Sequence, residues 1–237
     1  MNDNLKDPIL IVGCGHSGTT ILVKMLGTHS NIYPFGETSF LKKNKINEMI
    51  KTFNKVTRSK NKLRWVEKTP RHVYDLDRAM KYMPNCKIII IMRHPISTIK
   101  SIYKRRGKWD IAIKKYINNN MEWFNHPDKK KFFVLKYEDL IEKTENTTKN
   151  ILNFLNENYE DLTKYKKYNF RLKLRKGLLN FQNHRRLRKW QINQPLFNNI
   201  KKDQDIKTLN RQDLLYIQKY KVQGYSIFDM INILGYK

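Results

Sequence analysis

The stretch that most constrains the fold is residues 8–28, where a short apolar segment is followed by glycines and then by an amphipathic segment. Residues 9–12 read Ile-Leu-Ile-Val, which is typical of a strand buried in a parallel sheet. From Thr19 onward, apolar residues recur at helical spacing. A strand, a glycine-bearing loop and a helix in this order direct backbone N–H groups and the positive helix end at one anion. We therefore predict a phosphate-binding loop over residues 15–20.

This loop differs from the loop that binds nucleoside triphosphates. That loop reads G-x-x-x-x-G-K-[ST], where the lysine contacts the β- and γ-phosphates and the hydroxyl holds magnesium. Gly13 and Gly18 have the required spacing, but Thr19 stands where the lysine belongs, and the nearby basic residue is His16. The alternative is an ordinary turn that uses its glycines only for packing. Three hydroxyl side chains favour a phosphate-like ligand, although not a triphosphate with its metal: Ser17, Thr19 and Thr20.

The composition is that of a globular chain with a large excess of positive charge. With 237 residues, 40% of them hydrophobic, we predict one domain over 1–237, with an α/β core over 8–155 and a basic loop with C-terminal helices over 156–237. The formal charge of +27 is densest over 164–207. Such a charge attracts polyanions, but a composition rich in Lys, Asn and Ile would also produce it. Charge alone therefore leaves the partner and the oligomeric state open.

The sequence predicts neither a membrane span nor a secretory leader. No apolar run approaches the ~20 residues that a membrane helix needs. The N-terminus, MNDNLKDP, lacks the basic-then-apolar pattern of a signal peptide. Cys14 and Cys86 give no disulfide framework, so we expect a cytoplasmic protein. The six histidines are scattered without metal-ligand spacing, and we expect no metal.

Strands and helices alternate along the first two thirds of the chain, which predicts a parallel β-sheet flanked by helices. Ligand sites in such folds lie at the carboxyl ends of the strands. The phosphate loop, Lys68 and Arg93 all fall at such ends. The segment 30–37, with Pro34 and Gly36, is predicted to be a turn-rich connection. Strands are predicted at 9–12, 63–66, 87–92 and 132–135. Helices are predicted directly after the phosphate loop, where 21–26 has helical spacing, and at 38–56, 70–84, 96–106, 109–124, 137–155, 209–222 and 225–234.

Several motifs, in this order, resemble those of the sulfotransferases that use 3′-phosphoadenosine 5′-phosphosulfate (PAPS). The sequence GHSGTT at 15–20 is similar to the family's 5′-phosphosulfate loop, which usually has Arg or Lys before Ser-Gly-Thr-Thr. Residues 93–101 look like its 3′-phosphate motif, and EKTP at 67–70 and KYEDL at 136–140 are similar to motifs of its bacterial and Golgi-type members. The resemblance covers 8–155 and, weakly, Leu234-Gly235-Tyr236. It implies an α/β, P-loop-NTPase-like sulfotransferase fold with a helical C-terminal part.

The resemblance also implies an activity, which is transfer of a sulfonate group from PAPS, without a metal, to a hydroxyl or amine. The acceptor would be a glycan, a peptide tyrosine or a small molecule. The basic segment, which includes Arg185, suggests an acceptor that is acidic or already sulfated. The implied nucleotide-binding residues are Gly15, His16, Ser17, Gly18, Thr19 and Thr20 for the 5′-phosphosulfate, Arg93 and Ser101 for the 3′-phosphate, and Arg188 and Lys189 of the basic segment.

Catalytic roles follow from the same resemblance. Glu37 is similar in placement to the base of tyrosylprotein sulfotransferases, although a carboxylate favoured by a helix N-terminus is nearly as good an interpretation. Lys68 and His16 would stabilise the leaving group. His16 departs from the family pattern because histidine titrates near neutrality. Either the bound anion keeps it protonated or Lys68 alone has this role. The predicted acceptor-binding residues are Glu37, Arg71, His72 and Arg185.

Two other function classes were weighed. A P-loop kinase or nucleotidase would need the loop lysine and a metal-binding aspartate after the strand at 87–92, and both are absent from the sequence. A nucleic-acid-binding module has only the charge in its favour, because no zinc-finger or RNA-recognition signature occurs. We therefore do not expect a nucleic-acid partner.

Overall fold

The computed structural model describes residues 5–166 and 209–236. Within these ranges five strands form one sheet with the order β2-β3-β1-β4-β5. Every neighbouring pair is parallel, so the five carboxyl ends lie at one edge of the sheet. The strands are β1 Ile9–Gly13, β2 Ile32–Phe35, β3 Arg64–Lys68, β4 Lys87–Met92 and β5 Phe133–Lys136. The predicted parallel α/β fold is confirmed.

Helices connect the strands and cover both faces of the sheet. They are α1 Thr19–Leu26, α2 Ile46–Ser59, α3 Leu76–Tyr82, α4 Pro95–Arg106, α5 Trp109–Phe124, α6 Tyr137–Glu142 and α7 Thr144–Phe154. Short 3₁₀ helices lie at Phe40–Lys42, Pro70–Asp75, Lys129–Lys131 and Leu162–Lys166, and two C-terminal helices at Arg211–Lys219 and Ile227–Ile233. In the described part of the chain, none of these helices has the length and apolarity that crossing a bilayer requires.

The central strand β1 is buried on both of its faces. Leu10 and Val12 belong to one hydrophobic cluster, and Ile9 and Ile11 to a second cluster on the opposite face. All four side chains are fully buried. A strand covered on both faces has no polar alternation, which is why the run at 9–12 was uniformly apolar and readily recognised.

The C-terminal helices join the first of these clusters. Ile217, Ile227 and Met230 are fully buried in it together with residues of α4 and α5. The indole N–H of Trp109, at the start of α5, donates to Asp213 at 2.7 Å. The described C-terminal residues are thus packed onto the same core as the sheet.

The segment 30–37, predicted as a turn-rich connection, also contains the strand β2, which was not predicted. In the described part of the chain, β2 is an edge strand that pairs with β3. Proline lacks a backbone donor and is tolerated at such an edge, so Pro34 ends neither the strand nor its pairing. The predicted helices over 38–56 and 137–155 are each divided, the first by a 3₁₀ turn and a gap before α2, the second at Lys143.

Gly13 ends β1 in a conformation that side chains rarely adopt, with φ +129°. A Cβ at this position would lie 2.6 Å from the carbonyl oxygen of Ile91 in β4. We expect Gly13→Ala to lower the free energy of unfolding by about 2–4 kcal/mol, because backbone strain and overlap with a fixed main-chain atom add. Urea denaturation measures this loss.

Gly107→Ala is the matched control for Gly13→Ala. Gly107 also has a positive φ, +69°, but a Cβ there would have no atom within 4 Å. Only the conformational cost of about 1 kcal/mol should remain. Equal losses in the two variants would contradict the close approach of β1 to β4 at Gly13.

Candidate active site

The carboxyl edge of the sheet collects the motif residues from five different strands. β1 leads into the loop at 13–18, β2 into Glu37, β3 into the EKTP motif, β4 into Arg93 and β5 into Tyr137. β1 is the central strand, with β3 on one side and β4 on the other. Helix connections diverge at such a position and leave a crevice, which is where open α/β sheets bind ligands.

The loop between β1 and α1 has the geometry of an anion site. Gly13, His16 and Gly18 have positive φ angles of 129°, 79° and 92°. α1 begins after Gly18 with no side-chain cap and no acidic residue in its first turn. The Ser17 hydroxyl is buried and has no hydrogen-bond partner among the described residues. A buried hydroxyl that lacks a partner, beside an uncapped helix N-terminus, fits a phosphate oxygen.

His16 connects this loop to α4. Its Nδ1 atom lies 2.9 Å from the Oγ atom of Ser101, in a hydrogen bond whose direction depends on the histidine tautomer. The resemblance placed these residues at the two ends of one nucleotide. The structure brings them into contact, so the loop and α4 border the same space.

Arg93 is linked to the loop by one aromatic ring. The Arg93 guanidinium carbon lies 5.0 Å from the centre of the Tyr137 ring. The same ring fills the space beside Gly18, where a Cβ would overlap it. The Arg93 carbonyl accepts a hydrogen bond from the Tyr116 hydroxyl at 2.8 Å, which fixes the main chain at the end of β4. Tyr137 had no predicted role, although its position directly after β5 was a signal.

The structure brings Glu37 and Lys68 together. The Lys68 Nζ atom lies 3.2 Å from the Glu37 Oε2 atom. The Lys68 side chain is 9% exposed and that of Glu37 is 44% exposed. The two residues follow or end neighbouring strands, β2 and β3, which accounts for their contact. The Glu37 carboxylate is therefore accessible to solvent, whereas the Lys68 side chain is buried.

A buried carboxylate fixes the turn that carries Glu37. Glu67 is fully buried, and its Oε1 atom accepts hydrogen bonds from the Thr38 N–H at 2.9 Å, the Thr38 hydroxyl at 2.7 Å and the Thr69 hydroxyl at 2.5 Å. The Thr69 hydroxyl oxygen accepts in turn from the Ser39 N–H at 3.0 Å. This role of Glu67 was not predicted, although a glutamate inside a strand was an available signal.

The predicted acceptor residues lie in different environments. Arg71 is exposed, on the 3₁₀ helix that follows Lys68. His72 is fully buried, packs edge-on against Phe40 and lies 3.2 Å from the Asp75 carboxylate. A direct contact between His72 and an acceptor would therefore require this packing to open. Arg185, Arg188 and Lys189 lie outside the described residues.

The C-terminal segment packs beside Arg93. The Tyr236 hydroxyl donates to the Glu138 carboxylate at 3.2 Å, and the other oxygen of that carboxylate accepts from the His94 N–H at 2.9 Å. The rings of Tyr236 and His94 meet edge-on at 5.2 Å. Burial, followed by the charge of Arg93, lowers the pKa of His94, so this imidazole is neutral at physiological pH.

The described residues contain no group of three or more His, Cys, Asp or Glu side chains that could hold a metal ion. This edge of the sheet presents N–H groups, hydroxyls, cations and the Glu37 carboxylate. Such groups bind a phosphorylated ligand and accept one proton.

Comparisons with known proteins agree with this geometry. A model described as the sulfotransferase family matches residues 8–64 and 41–161. None of the curated proteins matches the chain. The sulfotransferase domain from the olefin synthase of Synechococcus PCC 7002 is similar in structure, with a TM-score of 0.65, 17% identity and coverage of 100% of this chain and 98% of that one.

Two further solved structures are similar. The sulfotransferase domain from the curacin biosynthetic pathway has a TM-score of 0.60, 19% identity and coverage of 99% of both chains. A sulfotransferase from Alicyclobacillus acidocaldarius has a TM-score of 0.51, 14% identity and coverage of 68% of this chain and 89% of that one. At these identities the similarity is one of fold.

Proposed function

The chain belongs to the sulfotransferase family, and we propose that it transfers the sulfonate group of PAPS to a hydroxyl or amine acceptor. The observation that carries this proposal is that three features lie at one edge of the sheet. They are the phosphate loop with the N-terminus of α1, which has no side-chain cap, Arg93, and the Glu37–Lys68 pair. The loop and Arg93 are suited to the two phosphorylated ends of the donor. The ion pair is suited to the reacting end.

The donor would be held by the residues that border the crevice. The loop N–H groups, with the hydroxyls of Ser17, Thr19 and Thr20, would hold the 5′-phosphate at the N-terminus of α1. Arg93 would donate two parallel hydrogen bonds to the 3′-phosphate, and Ser101 would add its hydroxyl. The buried Ser17 hydroxyl without a partner supports this assignment, because a phosphate oxygen would satisfy it.

The reaction needs no covalent bond to the protein. The acceptor oxygen or nitrogen forms a bond to sulfur while the bond from sulfur to the bridging 5′-phosphate oxygen breaks, and the bond's electron pair leaves on that oxygen. The acceptor proton passes to Glu37. Lys68 stabilises the charge that develops on the leaving group, with His16 as a second candidate. Positioning and electrostatic stabilisation then provide the acceleration, as in phosphoryl transfer.

The acceptor is proposed to be a glycan, a peptide tyrosine or a small molecule. Two of the similar solved structures cover nearly all of this chain. One is a sulfotransferase domain from an olefin synthase, and the other is a sulfotransferase domain from the curacin biosynthetic pathway. Hydroxylated small molecules therefore belong in an acceptor screen beside sugars and phenols. The net charge of +27 supports including acidic and sulfated acceptors.

A thermal-shift measurement tests the donor. We expect stabilisation by adenosine 3′,5′-bisphosphate (PAP), the product left by PAPS, and not by Mg·ATP or an oligonucleotide. At 100 times the dissociation constant a ligand stabilises by about 2.7 kcal/mol, which such an assay resolves. Stabilisation by Mg·ATP alone, or by the oligonucleotide alone, would overturn the proposed function.

A further inference from the structure

Lys115 lies on the helix that packs against the phosphate loop. On this helix, α5, the Asn119 side chain donates to the Gly13 carbonyl at 3.4 Å. The Lys115 ammonium lies over the loop itself, because a Cβ added to Gly15 would be 3.1 Å from its Nζ atom. Gly15 thus leaves room for a lysine head group at the loop, a function that the motif alone did not reveal.

The Lys115 ammonium has no hydrogen-bond or ion-pair partner among the described residues. Burial lowers the pKa of Lys115, as do the charges of Arg105 and Arg106, while Cys14 and Glu37 act in the opposite direction. A half-buried cation without a counter-ion is unfavourable. An anionic ligand at the loop would offset that cost.

Two other basic side chains, at the loop and at the Glu37 turn, already have partners among the described residues. His16 contacts Ser101 at 2.9 Å, and Lys68 contacts Glu37 at 3.2 Å. The family pattern places a lysine or arginine where this chain has His16. Lys115 reaches the same loop from a different helix and lies near enough to Glu37 to interact with it electrostatically.

We propose that Lys115 binds the 5′-phosphosulfate end of the donor and supplies there the positive charge that residue 16 does not permanently carry. This inference rests on the proposed function, since it concerns the same donor. It assigns the cation of the phosphate loop to α5, a helix outside the motif.

Calorimetry with three nucleotides tests this inference without an acceptor. Lys115→Gln should weaken binding of PAP and of adenosine 5′-monophosphate about tenfold or more, the contribution of a hydrogen bond to a charged group. Binding of adenosine 3′-monophosphate, which lacks the 5′-phosphate, should be unchanged. Lys115→Arg should restore most of the affinity for PAP, because it restores the charge.

Lys114→Gln is the matched control, because Lys114 is the adjacent residue of α5 and is exposed. Its Nζ atom lies 6.0 Å from the centre of the Tyr220 ring and not at the loop. It should leave all three affinities unchanged. If Lys115→Gln folds poorly, Lys115→Arg and the control variant test the inference instead. Loss of PAP affinity in Lys115→Arg, with the affinity of Lys114→Gln unchanged, would overturn it.

The outcomes separate this inference from the proposed function. A wild-type protein that does not bind PAP would contradict the proposed function itself. A wild-type protein that binds PAP, together with a Lys115→Gln variant of equal affinity, would overturn the role of Lys115 only. Equal weakening of the 5′- and 3′-monophosphates would also overturn it, because the charge would then act on the whole site.

Discussion

Replacing Glu37 with glutamine should lower kcat for sulfonate transfer by about 10²- to 10⁴-fold, the usual contribution of general base catalysis. Glutamine keeps the size of the side chain and an oxygen that can accept a hydrogen bond from Lys68, whose Nζ atom lies 3.2 Å from Glu37 Oε2 in the wild type. It does not take up the acceptor's proton. PAP affinity should remain unchanged, because Glu37 is proposed to contact the acceptor side. Steady-state turnover with the best acceptor from the screen, together with calorimetry of PAP, measures both quantities.

Glu48→Gln is the matched control for this substitution. Glu48 is an exposed carboxylate in the first turn of α2, paired with Lys45 at 3.3 Å, and its neutralisation should leave kcat unchanged. A Glu37→Gln variant that keeps kcat within threefold would show that this carboxylate only favours the local helix N-terminus.

The fold was predictable where burial leaves a simple pattern in the sequence. β1 and β4 lie in the middle of the sheet, so both of their faces are covered and their sequences are continuous apolar runs. β2 was missed because it is a short edge strand that contains Pro34. Its pairing with β3 depends on a partner distant in sequence, which local patterns do not encode.

The candidate site was predictable where a residue follows a strand directly. The loop after β1 and Arg93 after β4 lie at strand ends, and parallel strands place such ends at one edge. Glu67 was different, since its side chain lies inside the core and binds Thr38 and Thr69, and only the packed structure shows those partners. Lys115 was missed for the same reason, because its distance from Gly15 depends on how α5 packs.

The two halves of the proposed donor site are joined by aromatic and polar contacts that no single motif contains. Tyr137 touches both Gly18 and the guanidinium of Arg93, and His16 reaches Ser101. His16 and Ser101 are 85 positions apart in the sequence. Arg93 and Tyr137 are more than 40 positions apart. The spacing within the motifs thus indicates candidate phosphate-binding residues, whereas the mutual position of the two proposed phosphate sites is a property of the fold.

We expect Arg93→Ala to weaken PAP binding by about 10²-fold or more. Truncating one partner of a desolvated charge pair costs about 2–5 kcal/mol, and about 1.4 kcal/mol corresponds to a tenfold change. Affinity for adenosine 5′-monophosphate should be unchanged, because that ligand lacks the 3′-phosphate. Loss of the contact with the Tyr137 ring should lower stability by only about 0.5–1 kcal/mol, so the variant remains folded.

Two further variants show whether Arg93 acts through its geometry as well as its charge. Arg93→Lys keeps a positive charge but loses the planar fork that donates two hydrogen bonds, so its affinity for PAP should lie between those of the wild type and Arg93→Ala. Arg71→Ala, which removes an exposed arginine at the same edge of the sheet, should leave PAP affinity unchanged. If Arg93→Ala weakened the 5′-monophosphate as much as PAP, Arg93 would not distinguish the two ends of the nucleotide. The assignment of the 3′-phosphate to the end of β4 would then be wrong, even for a chain that keeps the sulfotransferase fold.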